Sequence, residues 1–157
     1  MAATWVLSLV LTVGQSPPIR IAAVLDDWHK AAAEANEDRY FSHLAREAVF
    51  FGTDATERWN RDEFRKFAHP HFAKGKAWSF RATKRNVFVS KEGSMAWFDE
   101  ELDTPNLGPA RGTGVLVLEE GQWRITQYNL SVPIPNEIFD GVKKQIEAAL
   151  KAKKQPY

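Results

Sequence analysis

The chain has 157 residues, 21 of them Lys or Arg and 20 Asp or Glu, which leaves a formal net charge of +1. A balance this even provides no long-range field toward nucleic acid or acidic lipid, and neither is expected as a partner. The sequence has no cysteine, so disulfides, thiolate catalysis and cysteine-ligated metal are excluded.

The first stretch, MAATWVLSLVLTVGQSPP, holds an apolar run from Trp5 to Val13 that is too short to span a bilayer as a helix. It has the apolar core of a secretory signal and small residues, Thr12 and Gly14, at a cleavage-site spacing, but no basic residue precedes it. Two readings stay open: an export signal, which makes the mature protein secreted or periplasmic, or a disordered tail on a cytoplasmic one. Either way residues 1–18 stand outside the expected domain, which runs from 19 to 152, with 153–157 as a tail. One domain with one core suits this length.

Ile21, Val24, Leu25, Trp28, Ala32 and Ala35 recur at three- and four-residue spacing and predict an amphipathic helix over 19–35. A short second helix is expected around Tyr40, Phe41 and Leu44, and EAVFF reads as a strand. The following loop, up to Trp59, carries Thr53 and Asp54. Asn60 with Glu63 forms a capping-box pattern for a third helix whose apolar face is Phe64, Phe67, Ala68 and Phe72, with Pro70 expected to bend or end it. His69 and His71 flank that proline; an H-x-H pair without a third ligand assigns no metal site.

From Trp78 the period changes to two. Strands are expected in WSFRATKRNVFVS, SMAWFDEELD, TGVLVLEE and QWRITQYNLSV, joined by turns and by the loop TPNLGPARG. Ile138, Val142, Ile146 and Leu150 then space a closing helix, with lysines toward its C-terminal end, where cations suit the helix dipole. Helices followed by hairpin-linked strands predict an α+β fold in which the helices cover one face of a strongly curved antiparallel sheet.

The order of elements, together with DDWHKAAAEANEDRYFSHLAREAVFFGTDATERWNRDEFRKFAHPHF, AWFDEEL, RGTGVLVLEEGQWRI and QYNLSVPIPNE, resembles the SnoaL-like family of the nuclear transport factor 2-like superfamily over roughly residues 20–150. The resemblance implies a cone-shaped, cystatin-like sheet with N-terminal helices over its concave face, and a pocket at the rim that Thr53 and Trp59 close. It implies ketosteroid isomerases, cyclases and dehydratases as relatives, along with members that only bind, so it does not name one activity. The family often carries a histidine where this chain has Asn129, and that departure removes an obvious proton shuttle.

Candidate site residues follow from strand alternation. In the last strand Trp123, Ile125, Gln127, Asn129 and Ser131 share one face, expected to line the pocket. Arg124, Thr126, Tyr128 and Leu130 share the other, expected to face outward and to serve a homodimer contact. In WFDEEL, Trp97, Asp99 and Glu101 share a face opposite Phe98, Glu100 and Leu102. Asp99, then Glu101, are candidate acids if an apolar pocket raises their pKa; alternatively they pair with Arg81, Arg85 or Arg111. Arg111 is a candidate anchor for developing charge, and Gly112 and Gly114 suggest a bulge or close approach in that strand. Tyr40 is either an oxyanion donor or a core aromatic. Trp28, Phe51, Trp59, Phe64, Trp78 and Trp97, among many other rings, complete an expected apolar pocket for a small apolar or carbonyl-containing molecule, with no cofactor and no metal. Two functions stay open: acid–base catalysis of the isomerase, cyclase or dehydratase kind, and a non-catalytic binding or dimeric interaction module.

Overall fold

A computed structural model of the chain describes residues 15–75 and 77–154. The candidate export signal in 1–14 and the end of the tail, 155–157, lie outside the described residues. The elements are α1 (Pro17–Ala33), α2 (Glu37–Ser42), β1 (Leu44–Phe51), β2 (Arg58–Asn60), α3 (Arg61–Ala73), β3 (Arg81–Val89), β4 (Met95–Asp103), β5 (Ala110–Glu119), β6 (Gln122–Ser131), a 3₁₀ turn at Asn136–Ile138 and α4 (Phe139–Lys154).

The helices follow their local chemistry. α1 begins at Pro17, two residues earlier than expected, because proline in the first helical turn gives up no hydrogen bond. The Asn60 carboxamide accepts from the Asp62 and Glu63 backbone N–H groups while Glu63 accepts from the Asn60 N–H, the expected capping box. Pro70 does not end α3; it sits in the last turn, and the helix runs on to Ala73 before Gly75 adopts a φ of 69°. Leu44, expected in the second helix, already belongs to β1.

The six strands form one curved, unclosed sheet in the order β2-β1-β6-β5-β4-β3. Neighbours are antiparallel except β1 and β6, which run parallel. α1 packs across β3 and β6, and α3 across β1 and β2, so the helices cover one face, called inner here. Residues opposite one another across a sheet share a face, so the register sorts side chains into rows. Val87, Phe98, Gly114, Tyr128, Phe50 and Trp59 form one inner row, and Arg85, Glu100, Gly112 and Leu130 the next.

One irregularity decides the site. Val115 pairs with Gln127 but Leu116 pairs with Ile125, so Thr126 is an extra, unpaired residue in β6. Ahead of this bulge Trp123 and Ile125 are buried; beyond it the phase reverses, and Tyr128 and Leu130 are buried instead. Strict alternation therefore fails halfway along β6. Gln127, Asn129 and Ser131 turn to the outer face, while Tyr128 and Leu130, expected on the outside, enter the core.

Candidate functional site

An aromatic cavity of about 210 Å³ opens where β1, the 52–57 loop, α3 and the segment before β3 meet. Its lining is Phe50, Gly52, Thr53, Glu57, Trp59, Phe64, Phe67, Trp78, Phe80, Leu107 and Leu130. Of the expected site residues, Thr53, Trp59, Phe64 and Trp78 are brought together in this lining. Trp59 is not in a loop: it sits in β2, opposite Phe50, with its ring 5.7 Å from Phe64 and 4.6 Å from Phe67 in stacked orientation. Phe50 and Phe64 stack at 3.9 Å. These rings hold one another, so the wall is built before any ligand arrives.

The loop that closes the cavity is braced by its own backbone. Gly52 N–H donates to the Glu57 carbonyl at 2.9 Å and Glu57 N–H to the Asp54 carbonyl at 2.9 Å. The Asp54 carboxylate accepts from the Thr56 N–H and hydroxyl, an Asx turn. The Glu57 carboxylate accepts from the Asp54 N–H at 3.1 Å and lies over Gly52, where a Cβ would stand 2.2 Å from its Oε2. Glycine at 52 is what lets the carboxylate rest there.

Beneath the cavity lies a charged cluster that sequence reasoning did not select. Glu100 is 1% exposed. Its Oε1 accepts from His29 Nε2 at 2.7 Å and its Oε2 from Arg85 Nε at 2.8 Å. Arg85 Nη1 donates to Asp26 at 2.7 Å and to the Ala22 carbonyl at 3.2 Å, so the cluster ties α1 to β3 and β4. Burial by itself would push the Glu100 carboxyl up; the hydrogen bond and charge of His29, then those of Arg85, outweigh it and hold the carboxyl below its usual range. Tyr128 lies beside this carboxylate, and its hydroxyl makes no well-formed hydrogen bond. Burial, then the Glu100 charge, pushes its pKa well up. Phe80 and Phe50 separate cluster from cavity, with rings 6.0 Å from His29 and 5.3 Å from Tyr128. A signal for Glu100 was in the sequence: it interrupts the buried series Ala96, Phe98, Leu102 at two-residue spacing.

The remaining expected residues lie elsewhere. In β4 the buried set is Ala96, Phe98, Glu100 and Leu102, so Trp97, Asp99 and Glu101 face outward, the reverse of the expected lining. Outer rows then read Phe88–Trp97–Val115–Gln127–Val49, Asn86–Asp99–Thr113–Asn129–Phe51 and Lys84–Glu101–Arg111–Ser131. Seven expected site residues, Trp97, Asp99, Glu101, Arg111, Gln127, Asn129 and Ser131, are indeed neighbours, but across the sheet from the cavity. Asp99 accepts from the Asn86 amide at 2.8 Å, and Glu101 faces Lys84 at 3.9 Å. Phe51 lies on the same outer side, with the Arg58 guanidinium 5.7 Å over its ring. Trp28 and Tyr40 are each 1% exposed and stack on one another in the core at 5.0 Å. Tyr40 lies behind the cavity wall, against Phe64 and Trp78, and burial raises its pKa well above the ordinary value.

His69 pairs with Glu37 at 2.7 Å and His71 lies against Phe67 and Trp78. Among the described residues no three His, Asp or Glu side chains gather as metal ligands, and no described helix is long and apolar enough to cross a membrane.

Comparison with solved structures places this architecture among known folds. An NTF2-like protein of unknown function from Pseudomonas putida superposes with a TM-score of 0.63 at 15% identity, covering 79% of this chain and 93% of its own. A protein provisionally named a ketosteroid isomerase, from Parabacteroides distasonis, gives 0.63 at 17% identity, covering 80% and 94%. One provisionally named a scytalone dehydratase, from Novosphingobium aromaticivorans, gives 0.62 at 12%, covering 74% and 84%. At these identities the likeness is one of fold. No curated protein matches the sequence. The profile of the SnoaL-like domain matches residues 21–135, from the first turns of α1 through the whole sheet and its cavity, and the chain belongs to that family.

Proposed function

We propose that this protein binds a small, largely apolar molecule in the aromatic cavity, and that it works as a binding module rather than through the acids of β4. The observation that carries the reading is the cavity itself: about 210 Å³, walled by six aromatic rings, with Thr53 and Glu57 as its polar groups. Its volume is below the usual range for drug-sized ligands, so the ligand is small. Carbonyl compounds belong in the first screen, because the Thr53 hydroxyl can donate to a carbonyl oxygen.

Turnover through the β4 acids is disfavoured by how those acids are used. A general acid or base must reach the reacting atom. Asp99 and Glu101 stand on the outer face, and Glu100 is committed to His29 and Arg85. Titration of small aromatic and carbonyl compounds, followed through tryptophan emission and ligand-observed NMR, tests the proposal. Binding should quench Trp59 and Trp78 emission, and Trp59→Ala should abolish it; compounds that bind Trp59→Ala as well as the parent would place the ligand elsewhere.

A second element of the proposal is self-association. Phe88 and Trp97 stack at 5.8 Å on the outer face, 46% and 49% exposed, beside Met95 at 47%. An apolar patch of this kind, on the outer sheet face toward the β3 edge, suits a two-fold contact with a second copy. The residues for it are not the expected Arg124, Thr126, Tyr128 and Leu130 but the row through Phe88, Trp97 and Val115.

A further inference from the structure

We infer that the ligand of the aromatic cavity carries a positive charge: an organic ammonium group on a small apolar or aromatic body. The inference rests on the binding role proposed above and adds the chemical class of the ligand.

Among the described residues that line the cavity, Glu57 has the one charged side chain, and it is an acid. The other large walls are Trp59, Trp78, Phe50, Phe64, Phe67 and Phe80. Aromatic faces carry negative quadrupole density, and ring-lined sites attract ammonium ions most strongly when tryptophan contributes. Rings on several sides and a carboxylate at one make a cage suited to a cation. A neutral apolar ligand would leave the carboxylate without any partner but its loop, and an anionic one would be repelled.

The carboxylate is also held in place. Glu57 Oε2 is fixed by the Asp54 N–H at 3.1 Å, across the space that Gly52 leaves open. The loop from Gly52 to Glu57 is closed by its two backbone hydrogen bonds and the Asx turn at Asp54, so little reorganisation is needed to meet a charge. Two nearby arginines among the described residues are engaged elsewhere. Arg58 sits over Phe51 on the outer side of β1, and Arg61 donates to the Phe41 carbonyl at 3.1 Å. His71 touches Phe67 and Trp78, with ring centroids 5.7 and 6.3 Å away, but does not line the cavity.

The test compares two molecules of nearly equal shape, phenyltrimethylammonium and tert-butylbenzene, titrated at one ionic strength into the full chain, Glu57→Gln and Gly52→Ala. The readouts are tryptophan emission and ligand-observed NMR. The inference expects the cation to bind the parent on the order of tenfold more tightly than its neutral twin. In Glu57→Gln that preference should fall severalfold while tert-butylbenzene affinity holds. Gly52→Ala keeps the charge but displaces the carboxylate, and should lower the preference in the same direction. Equal affinity for the two probes in the parent overturns the inference and leaves apolar binding standing. A preference that survives Glu57→Gln intact overturns the role of Glu57. If neither probe binds a parent protein whose near-UV circular dichroism reports a packed aromatic core, the binding proposal itself fails, and this inference with it.

Discussion

Glu100 shows how one residue position sets the character of the inner face. A carboxylate in that row must be paired, because an isolated buried charge costs several kcal/mol. His29 and Arg85 pair it from α1 and β3, and the result joins three elements at one point. Glu100→Gln should therefore destabilise the fold by about 3 kcal/mol, since it leaves the half-buried Arg85 with Asp26 as its one remaining charged partner among the described residues. Asp99→Asn, one position away on the exposed side, should change stability by less than about 0.5 kcal/mol. Urea unfolding of the two variants checks both; equal costs would mean the two faces of β4 are not distinct. Gly112 makes a sharper case. A Cβ there would stand 2.4 Å from the Tyr128 hydroxyl and 2.9 Å from Glu100 Oε1. Gly112→Ala should cost about 1–3 kcal/mol by overpacking. Tyr128→Phe removes both the colliding atom and a buried hydroxyl without a partner, so it should be near neutral alone and should relieve much of the alanine's cost in the double variant. Additive costs would show that the collision is with Glu100 alone.

At the level of elements, most of the fold was legible because its signals are local. The capping box at Asn60, the three- and four-residue spacing of Ile21, Leu25 and Trp28, and the two-residue period from β3 onward each specify a segment on their own. The face of a strand is a different kind of fact. In β4 both faces carry acids and aromatics, so pattern alone does not say which is buried; the buried set is Phe98, Glu100 and Leu102, with Glu100 bonded to His29 of α1. In β6 the bulge at Thr126 changes the phase without any glycine or proline to announce it. That single insertion moved Gln127, Asn129 and Ser131 to the outside and hid the part played by Tyr128. Trp59 was legible as a wall but not as a strand, because β2 is three residues long and exists only by pairing with β1.

The join between α1 and α2 makes a pH-dependent prediction at the same scale. Asp27 accepts from the Arg39 guanidinium and, at 2.7 Å, from His43. The Arg39 hydrogen bond, against a smaller burial effect, lowers the Asp27 pKa from 3.8 to about 2. A depressed carboxyl stabilises the fold above its unfolded pKa and loses that contribution as pH falls through its folded one. Asp27 is partly exposed, so solvent screening reduces the contribution to about 1 kcal/mol. Asp27→Asn should cost that much at pH 7, and the difference from the parent should shrink between about pH 4 and pH 2. Denaturation midpoints across that range would show it; a difference that persists at pH 2 would assign the cost to packing instead.

At the scale of the whole molecule, two apolar faces are exposed among the described residues. One is the outer patch, in which Phe88, Trp97 and Val115 form a row beside Met95 and Val117. The other is α4, which packs against the 3₁₀ turn before it and leaves Phe139, Ile146 and Leu150 51%, 50% and 52% exposed. An amphipathic helix of this length gains most of its stability from burying its apolar stripe, so α4 alone is marginal in water. In the proposed dimer a second copy of the chain would satisfy both faces at once: two outer patches would meet about a two-fold axis, and each α4 stripe would lie on the partner. The prediction is a dimer by sedimentation equilibrium at micromolar concentration. Trp97→Glu should dissociate it by placing a charge in the middle of the patch, and should also lower helical circular dichroism as α4 loses its support. Because the cavity lies on the opposite face, the Trp97→Glu monomer should bind the cavity probes as the parent does. A dimer that withstands Trp97→Glu would move the contact off this patch. A monomeric variant with full helicity would show instead that α4 is stable without a partner and that the two faces are independent.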